Sequence, residues 1–400
     1  MPERLVLSGP RLADGRRVDV RLSAGRIEAV GTPGSLSGPA SDAGTRVDLS
    51  GYLLLPAPAE PHAHHDTALT GAAPGPPPDG PEELRRRITE AALIQLGHGA
   101  TAQRSHVRVG DAGGLAALEA ALATSRALRG LADLTTVAVA GQLTGLAGAD
   151  NRAWLRDAAK MGTGALGGCP DLDPDPADYL DTVLRLADEH GRPLDLHTEG
   201  DDPAKLTRLA SAAGACRFGV AIGPCTGLSR LPAPVATRVA DRLAAAGVTV
   251  VCLPQGGCGL APARPWEPAG TPVRLLAAAG VRVAAGGGAL RDAANPVGRG
   301  DPLEAAFLLA SRDGCGALDA YGAVSGRARA ALGLPEVRVE AGFPAELLAV
   351  RGESVAGALS QAYSRLVIHR GRIVARTSAV REFCGSPADG GLELPRQATG

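Results

Sequence analysis

The 400-residue chain carries no Cys-x-x-Cys pair, almost no lysine, no excess of either charge and no long apolar run. Each absence narrows the choice. Seven cysteines, scattered and odd in number, argue against a disulfide framework and a structural zinc site, and fit a reducing cytoplasm. A formal net charge of −1 leaves no basic footprint for nucleic acid and no acidic tail for a basic partner, so a small, roughly neutral molecule is the expected ligand. The amino-terminal MPERLVLSGPRLADG lacks the apolar stretch of a secretory signal, and no segment reaches the length needed to span a bilayer. A soluble, cytoplasmic protein without membrane contact is expected. Lys160 and Lys205 are the only lysines beside abundant arginine, alanine, glycine and proline; this is a coding bias and carries no physical argument.

What is present changes period along the chain. RLVLSG, VDVRLSAG, GRIEAVG, TRVDLSG and YLLLP read as short strands broken at Gly and Ser. Near the other end, SRLVIHRGRIVART repeats the pattern of RLSAGRIEAVG, so both ends are expected to belong to one sheet system. Between them, helical stretches such as EELRRRITEAALIQLGHG and ADYLDTVLRLADEHG alternate with apolar strands: ATAQRSHV, LTTVAVA, GTGALGGCP, PLDLHTE, FGVAIGP, VTVVCLP and VRVAAGG. Strands buried on both faces and separated by helices predict a parallel sheet. With the strand that runs into His62 they number eight, the count of a (β/α)8 TIM barrel of the α/β class. The proline-rich GAAPGPPPDGPEE, Gly71 to Glu83, reads as a long loop after the first barrel strand.

EPHAHHDTAL puts three of the eight histidines into four residues, directly after the apolar YLLLPAPA. His62 and His64 are two apart at a strand end, so in extended backbone both rings point the same way and can share one cation. A third imidazole, His197, ends a later strand in LDLHTEGDD. In a TIM barrel the carboxyl ends of the strands converge on one site, which makes these three a candidate metal centre. By the same alternation, His65 faces away from it. His98, His190 and His369 fall on helix ends or a terminal hairpin and read as solvated surface.

LLLPAPAEPHAHHDTAL, GATAQRSHVRV, VAVAGQLTG, LDLHTEGDD, VVCLPQ and RDAANPVGRGDPLEAA together resemble the cytosine deaminase branch of the amidohydrolase superfamily, from about residue 3 to about residue 375. The resemblance implies a barrel over 56–337 and a small β-sandwich built from 1–55 together with 338–400. It also implies one divalent metal, zinc or iron, which lowers the pKa of a bound water. His62, His64 and His197 match the family's three imidazole ligands. Gln142 matches the glutamine that hydrogen-bonds the ring edge of the substrate, and Glu199 lies near the position of the proton-shuttling glutamate, in a run one residue shorter than the family's. Asp66 matches a common aspartate. His106 resembles a histidine at the second strand end, and Arg108 replaces what is often an aspartate; both are expected to line the substrate pocket. Barrels of this family associate, so a homo-oligomer is expected.

The resemblance breaks at two positions. Pro224, in GPCTGLS, stands where the family has a histidine after strand six, and Gly288, in AGGGALRD, stands where it has the metal-binding aspartate. Neither side chain can ligate or carry a proton. Cys225 is a substitute ligand or nucleophile if a cation lowers its pKa, and otherwise a small buried apolar residue. Asp292 and Asp301 lie in the loop after strand eight; the first either swings toward the vacancy or, in the favoured reading, serves in a helix-capping or salt-bridged role. Two readings follow: a hydrolase of altered mechanism acting on a C–N bond of a cyclic amidine, amide or heteroaromatic molecule, with or without metal, or an inactive pseudoenzyme kept for ligand binding or assembly.

Overall fold

A computed structural model describes residues 4–36, 44–71, 80–110, 113–256 and 270–380. The amino-terminal segment forms β1 (Leu5–Arg11), β2 (Arg17–Ser23), β3 (Arg26–Gly31), β4 (Thr45–Asp48) and β5 (Tyr52–Pro56). Eight parallel strands then follow in chain order: β6 (Ala59–Ala63), β7 (Ala102–Val109), β8 (Asp133–Ala140), β9 (Ala165–Gly168), β10 (Leu194–Thr198), β11 (Val220–Pro224), β12 (Thr249–Cys252) and β13 (Arg282–Ala285). The last three strands, β14 (Leu347–Arg351), β15 (Arg365–His369) and β16 (Arg372–Thr377), return to the first sheet in the order β16-β15-β14-β5-β1-β2-β3, with β4 on β1. The matching end hairpins are thus parts of one mostly antiparallel sheet. Leu5, Leu7, Val20 and Ile27 from one end share an apolar core with Leu347, Leu366 and Ile368 from the other.

The helices α1 (Pro81–Gly97), α2 (Ala116–Ala127), α3 (Ala149–Met161), α4 (Pro176–His190), α5 (Pro203–Ala213), α6 (Ala233–Ala245), α7 (Val273–Ala278) and α8 (Pro302–Ser311) follow the barrel strands in turn. Three of them start on Asp-Pro. The carboxylates of Asp175, Asp202 and Asp301 accept amide hydrogens of the first turns of α4, α5 and α8, and the following proline has no amide to leave unpaired. The short helices α9 (Ala317–Val324), α10 (Gly326–Ala331) and α11 (Val355–Gln361) complete the chain. No helix among the described residues is long and apolar enough to cross a membrane. Residues 72–79 of the proline-rich stretch lie outside the described residues, and its end, Pro81 to Glu83, is the first turn of α1.

The barrel closes between β6 and the residues just beyond β13. Ala63 bridges Gly288 in parallel register, and the Gly288 amide donates to the His62 carbonyl at 3.1 Å. Glu60 reinforces the seam from inside: its carboxylate accepts the amides of His62 at 3.0 Å and Gly287 at 2.8 Å. Gly286 has to be glycine here, because a Cβ would stand 2.4 Å from Glu60 Oε1.

A buried ion pair joins the terminal sheet to the start of α8 on the barrel. Arg365 on β15 grips Asp301 through two bonds of 2.8 and 2.6 Å and donates to the His98 carbonyl at 2.7 Å. Asp301 is therefore both helix cap and salt-bridge partner. Nearby, His369 corrects the sequence reading. It is fully buried rather than solvated, with Nδ1 2.9 Å from Glu346 Oε2, because the terminal hairpin packs its inner face against the barrel. His98 and His190 are half-buried.

Candidate metal centre

Strand alternation puts Glu60, His62 and His64 of the first barrel strand, Arg104, His106 and Arg108 of the second, and Asp195 and His197 of the fifth on inward faces. On the first two strands the last inward residue is the more exposed: His106 is buried and Arg108 exposed, while His62 is buried and His64 half-buried. The mouth is therefore at the carboxyl ends of the strands, where TIM barrels carry their chemistry.

Three imidazoles meet there. His62 Nε2 lies 3.0 Å from His197 Nε2 and 3.3 Å from His64 Nε2. Nitrogens bound to one tetrahedral zinc at about 2.05 Å stand about 3.3 Å apart, so the cluster fits a single small cation. Burial holds all three pKa values well below the ordinary imidazole range, and the crowding of neighbouring histidines adds to it. The rings are neutral and their lone pairs are available, which is the form that ligates.

Beneath this cluster lies a polar layer of which sequence reasoning named only His106. His106 stacks on His62 with ring centroids 4.0 Å apart. Its Nε2 is 3.2 Å from the fully buried Asp195 carboxylate, which also pairs with buried Arg104 at 2.9 Å. Burial alone would raise the Asp195 pKa, but His106 and Arg104 outweigh it and hold the carboxyl down at about 2. Each member of the layer stands two residues before a site residue on the same strand face: Glu60 before His62, Arg104 before His106 and Asp195 before His197. That spacing was the available signal. Among the described residues, the two groups of His, Cys, Asp or Glu whose ligand atoms lie within 4.8 Å of one another are His62–His64–His197 and His62–His106–Asp195. The Arg104 guanidinium disfavours a cation in the second.

The remaining candidates are distributed around the mouth. Gln142 follows β8 and donates from Nε2 to the Thr144 carbonyl at 3.1 Å. Glu199 follows β10, with its carboxylate accepting the Thr226 hydroxyl. Asp66 is buried, and its Oδ2 lies 3.4 Å from the Arg108 amide; Oδ1 has no partner among the described residues, and burial raises the pKa. His65 points away from the cluster, as alternation predicted, and meets Gln95 of α1 at 2.8 Å. Asp292 does not swing into the centre; its carboxylate accepts the amides of Ala294 and Asn295 and the Thr67 hydroxyl. Cys225 is fully buried in the apolar core, and burial, helped by Asp171 and Glu199, pushes its thiol far above the usual range. That environment stabilises the thiol and disfavours the thiolate that a nucleophile or ligand needs.

At Pro224 and Gly288 the backbone is buried and closely packed. Pro224 ends β11 in register with Thr198. Gly288 has φ +66°, and a Cβ on it would stand 3.3 Å from a Leu253 methyl.

No protein-family model matches the chain. A pterin deaminase of Rhizobium rhizogenes (strain K84 / ATCC BAA-868) is 33% identical over 230 residues, 54% of this chain and 52% of that protein. The chain spans about half the length of the curated relatives it matches. The crystal structure of N-isopropylammelide isopropylaminohydrolase from Burkholderia multivorans ATCC 17616 superposes with TM-score 0.81 at 27% identity, over 94% of this chain and 100% of that one. That of 5-methylcytosine deaminase from Klebsiella pneumoniae with 5-fluorocytosine gives 0.82 at 23% identity, over 96% and 100%. Sequence likeness to that pterin deaminase over about half of each chain, and a two-part fold shared with the aminohydrolase structure over nearly the whole chain, make this protein similar to the amidohydrolase superfamily and its cytosine deaminase-like members.

Proposed function

We propose that the protein hydrolyses an exocyclic C–N bond of an amino-substituted heteroaromatic small molecule, with a divalent cation, zinc or iron, held by His62, His64 and His197. The convergence of three neutral imidazole nitrogens at the barrel mouth carries this reading. A bound cation there supplies Lewis acidity and acidifies water near neutral pH. The chain's own groups do the rest: Gln142 binds the polar ring edge, Glu199 moves a proton between water and the leaving amine, and Asp66, His106 and Arg108 shape the pocket. Cys225 is left out of the chemistry, since its buried thiol stays protonated. Pro224 and Gly288 remove two proton-handling groups, and loss of a general base typically costs about 10²–10⁴-fold in rate, so turnover is expected to be slow. The domain division proposed is a barrel of 56–337 and a sheet unit of 1–55 with 338–400.

One observation favours the second reading, a binding or assembly protein without turnover. The same Nε2 spacings suit hydrogen bonds between neutral rings, so the cluster can persist without a cation. The deciding experiment is metal analysis of protein purified without chelator, with His62→Ala beside it, and ammonia release from pterin, cytosine and ammelide-type amines. About one zinc or iron per chain, lost in the variant together with ammonia release, is expected. Metal-free protein that releases no ammonia from any of these leaves the binding reading.

A further inference from the structure

The turn between β9 and α4, Pro170 to Asp173, carries two aspartates that hold its neighbours on opposite sides. Asp173 is buried and reaches toward β8: its carboxylate accepts the Leu143 amide at 2.8 Å, the Thr144 amide at 3.3 Å and the Thr144 hydroxyl. These residues directly follow Gln142, whose own side chain donates to the Thr144 carbonyl. Asp171 reaches the other way, toward β10. Its Oδ2 accepts the Thr198 hydroxyl at 2.8 Å and the Glu199 amide at 3.0 Å.

Gln142 and Glu199 stand after β8 and β10, two strands apart, with β9 between them. Among the described residues, no bond between the two fixes their spacing. The turn does so through five hydrogen bonds to carboxylates, which are stronger than bonds between neutral groups. Elsewhere the Gln142 loop is tied to its own helix, Asn151 of α3 holding the Gln142 carbonyl at 2.9 Å, and the Glu199 loop to the turn after β11, with Thr226 on the Glu199 carboxylate and the Gly227 amide on the Glu199 carbonyl at 2.7 Å. Asp173 also accepts the Asp175 amide at 2.9 Å, so the turn is braced against the start of α4.

We infer that Asp171 and Asp173 are positioning residues that set the ring-edge contact and the proton carrier at a fixed distance from each other. The inference rests on the proposed roles of Gln142 and Glu199. It makes a demand that a general loss of stability would not meet, because each aspartate acts on a different partner. Asp173→Asn loosens the Gln142 loop, whereas Asp171→Asn loosens the strand end that carries Glu199.

The test pairs kinetics with amide exchange on zinc-loaded wild type, Asp171→Asn and Asp173→Asn, using pterin as the probe. Asp173→Asn is expected to raise KM about 10- to 100-fold with kcat little changed, and Asp171→Asn to lower kcat by a similar factor with KM little changed, while zinc content stays at the wild-type level. Amide exchange is expected to speed up at 143–144 only in the first variant and at 199 only in the second. The inference is overturned if exchange at those amides is unchanged, or if both variants change KM and kcat together in the same way. If wild type neither binds nor turns over pterin, the substrate reading fails on that probe, and the exchange pattern alone upholds or overturns the brace.

Discussion

Asp195→Asn probes the polar layer beneath the histidines. The substitution keeps the side-chain shape and removes one charge from a pair in which Arg104 and Asp195 are 7% and 1% exposed and 2.9 Å apart. The guanidinium is then left buried with no counter-charge, and breaking a buried pair in this way costs about 3–5 kcal/mol. At about 2.1 cal/mol/K per residue, unfolding a chain of this length carries roughly 0.8 kcal/mol/K, so the expected fall in Tm is about 4–6 °C. Removing both charges is a different perturbation. Arg104→Met with Asp195→Leu exchanges the pair for apolar groups, which is often neutral, so the double variant is expected to recover most of the loss. The layer also supports the proposed metal ligands, since Asp195 touches His106 and His106 stacks on His62. Disturbing such outer partners typically weakens metal binding about 10- to 100-fold, and zinc titration of the single variant with a competing chelator measures it. A Tm within 1 °C of wild type, or zinc affinity unchanged in the single variant, would refute the reasoning, because a buried charge this tightly engaged cannot be silent.

Two further outcomes follow from the seam between sheet and barrel. Arg365→Ala leaves Asp301 buried without its partner and removes a bond to the His98 carbonyl, so thermal melts should show a loss of about 3–5 kcal/mol, against less than 1 for a surface arginine such as Arg217→Ala. Glu346 gives a pH signature. Burial opposes its charge, yet bonds from His369 and the Arg370 amide outweigh burial and hold its pKa below 4.5. A carboxyl lowered on folding contributes stability that is present above the unfolded pKa and is lost as pH falls through the folded one. The Tm gap between wild type and Glu346→Gln should therefore be full at pH 7 and shrink below about pH 4.5; a gap independent of pH would count against the pairing.

The architecture was legible because its signals are periodic. Helical stretches alternating with apolar strands announce a parallel barrel, and all eight strands appear where the pattern put them. The histidine centre was legible because an i, i+2 pair at a strand end has only one geometry. Charged residues inside apolar strands were harder to read. Arg104 and Asp195 are 91 residues apart, and neither is informative until the barrel brings β7 and β10 face to face. His369 was misread for the same reason, since its partner Glu346 stands just before β14, another strand of the sheet. Cys225 was read as a candidate from its place beside Pro224, yet its environment is set by the core behind the strand.

The three glycines after β13 bear on whether a fourth ligand could be placed beside the imidazoles. Gly286 accommodates the Glu60 carboxylate, and Gly287 accommodates the Gly300 backbone, whose Cα would stand 2.8 Å from an added Cβ. Gly288 is in the left-handed region that costs an L residue roughly 1–2 kcal/mol, and Leu253 packs against the space its side chain would take. A carboxylate placed at 288 therefore meets backbone strain and a methyl contact together. Close packing of this kind leaves little room for a fourth ligand at 288 beside the three imidazoles.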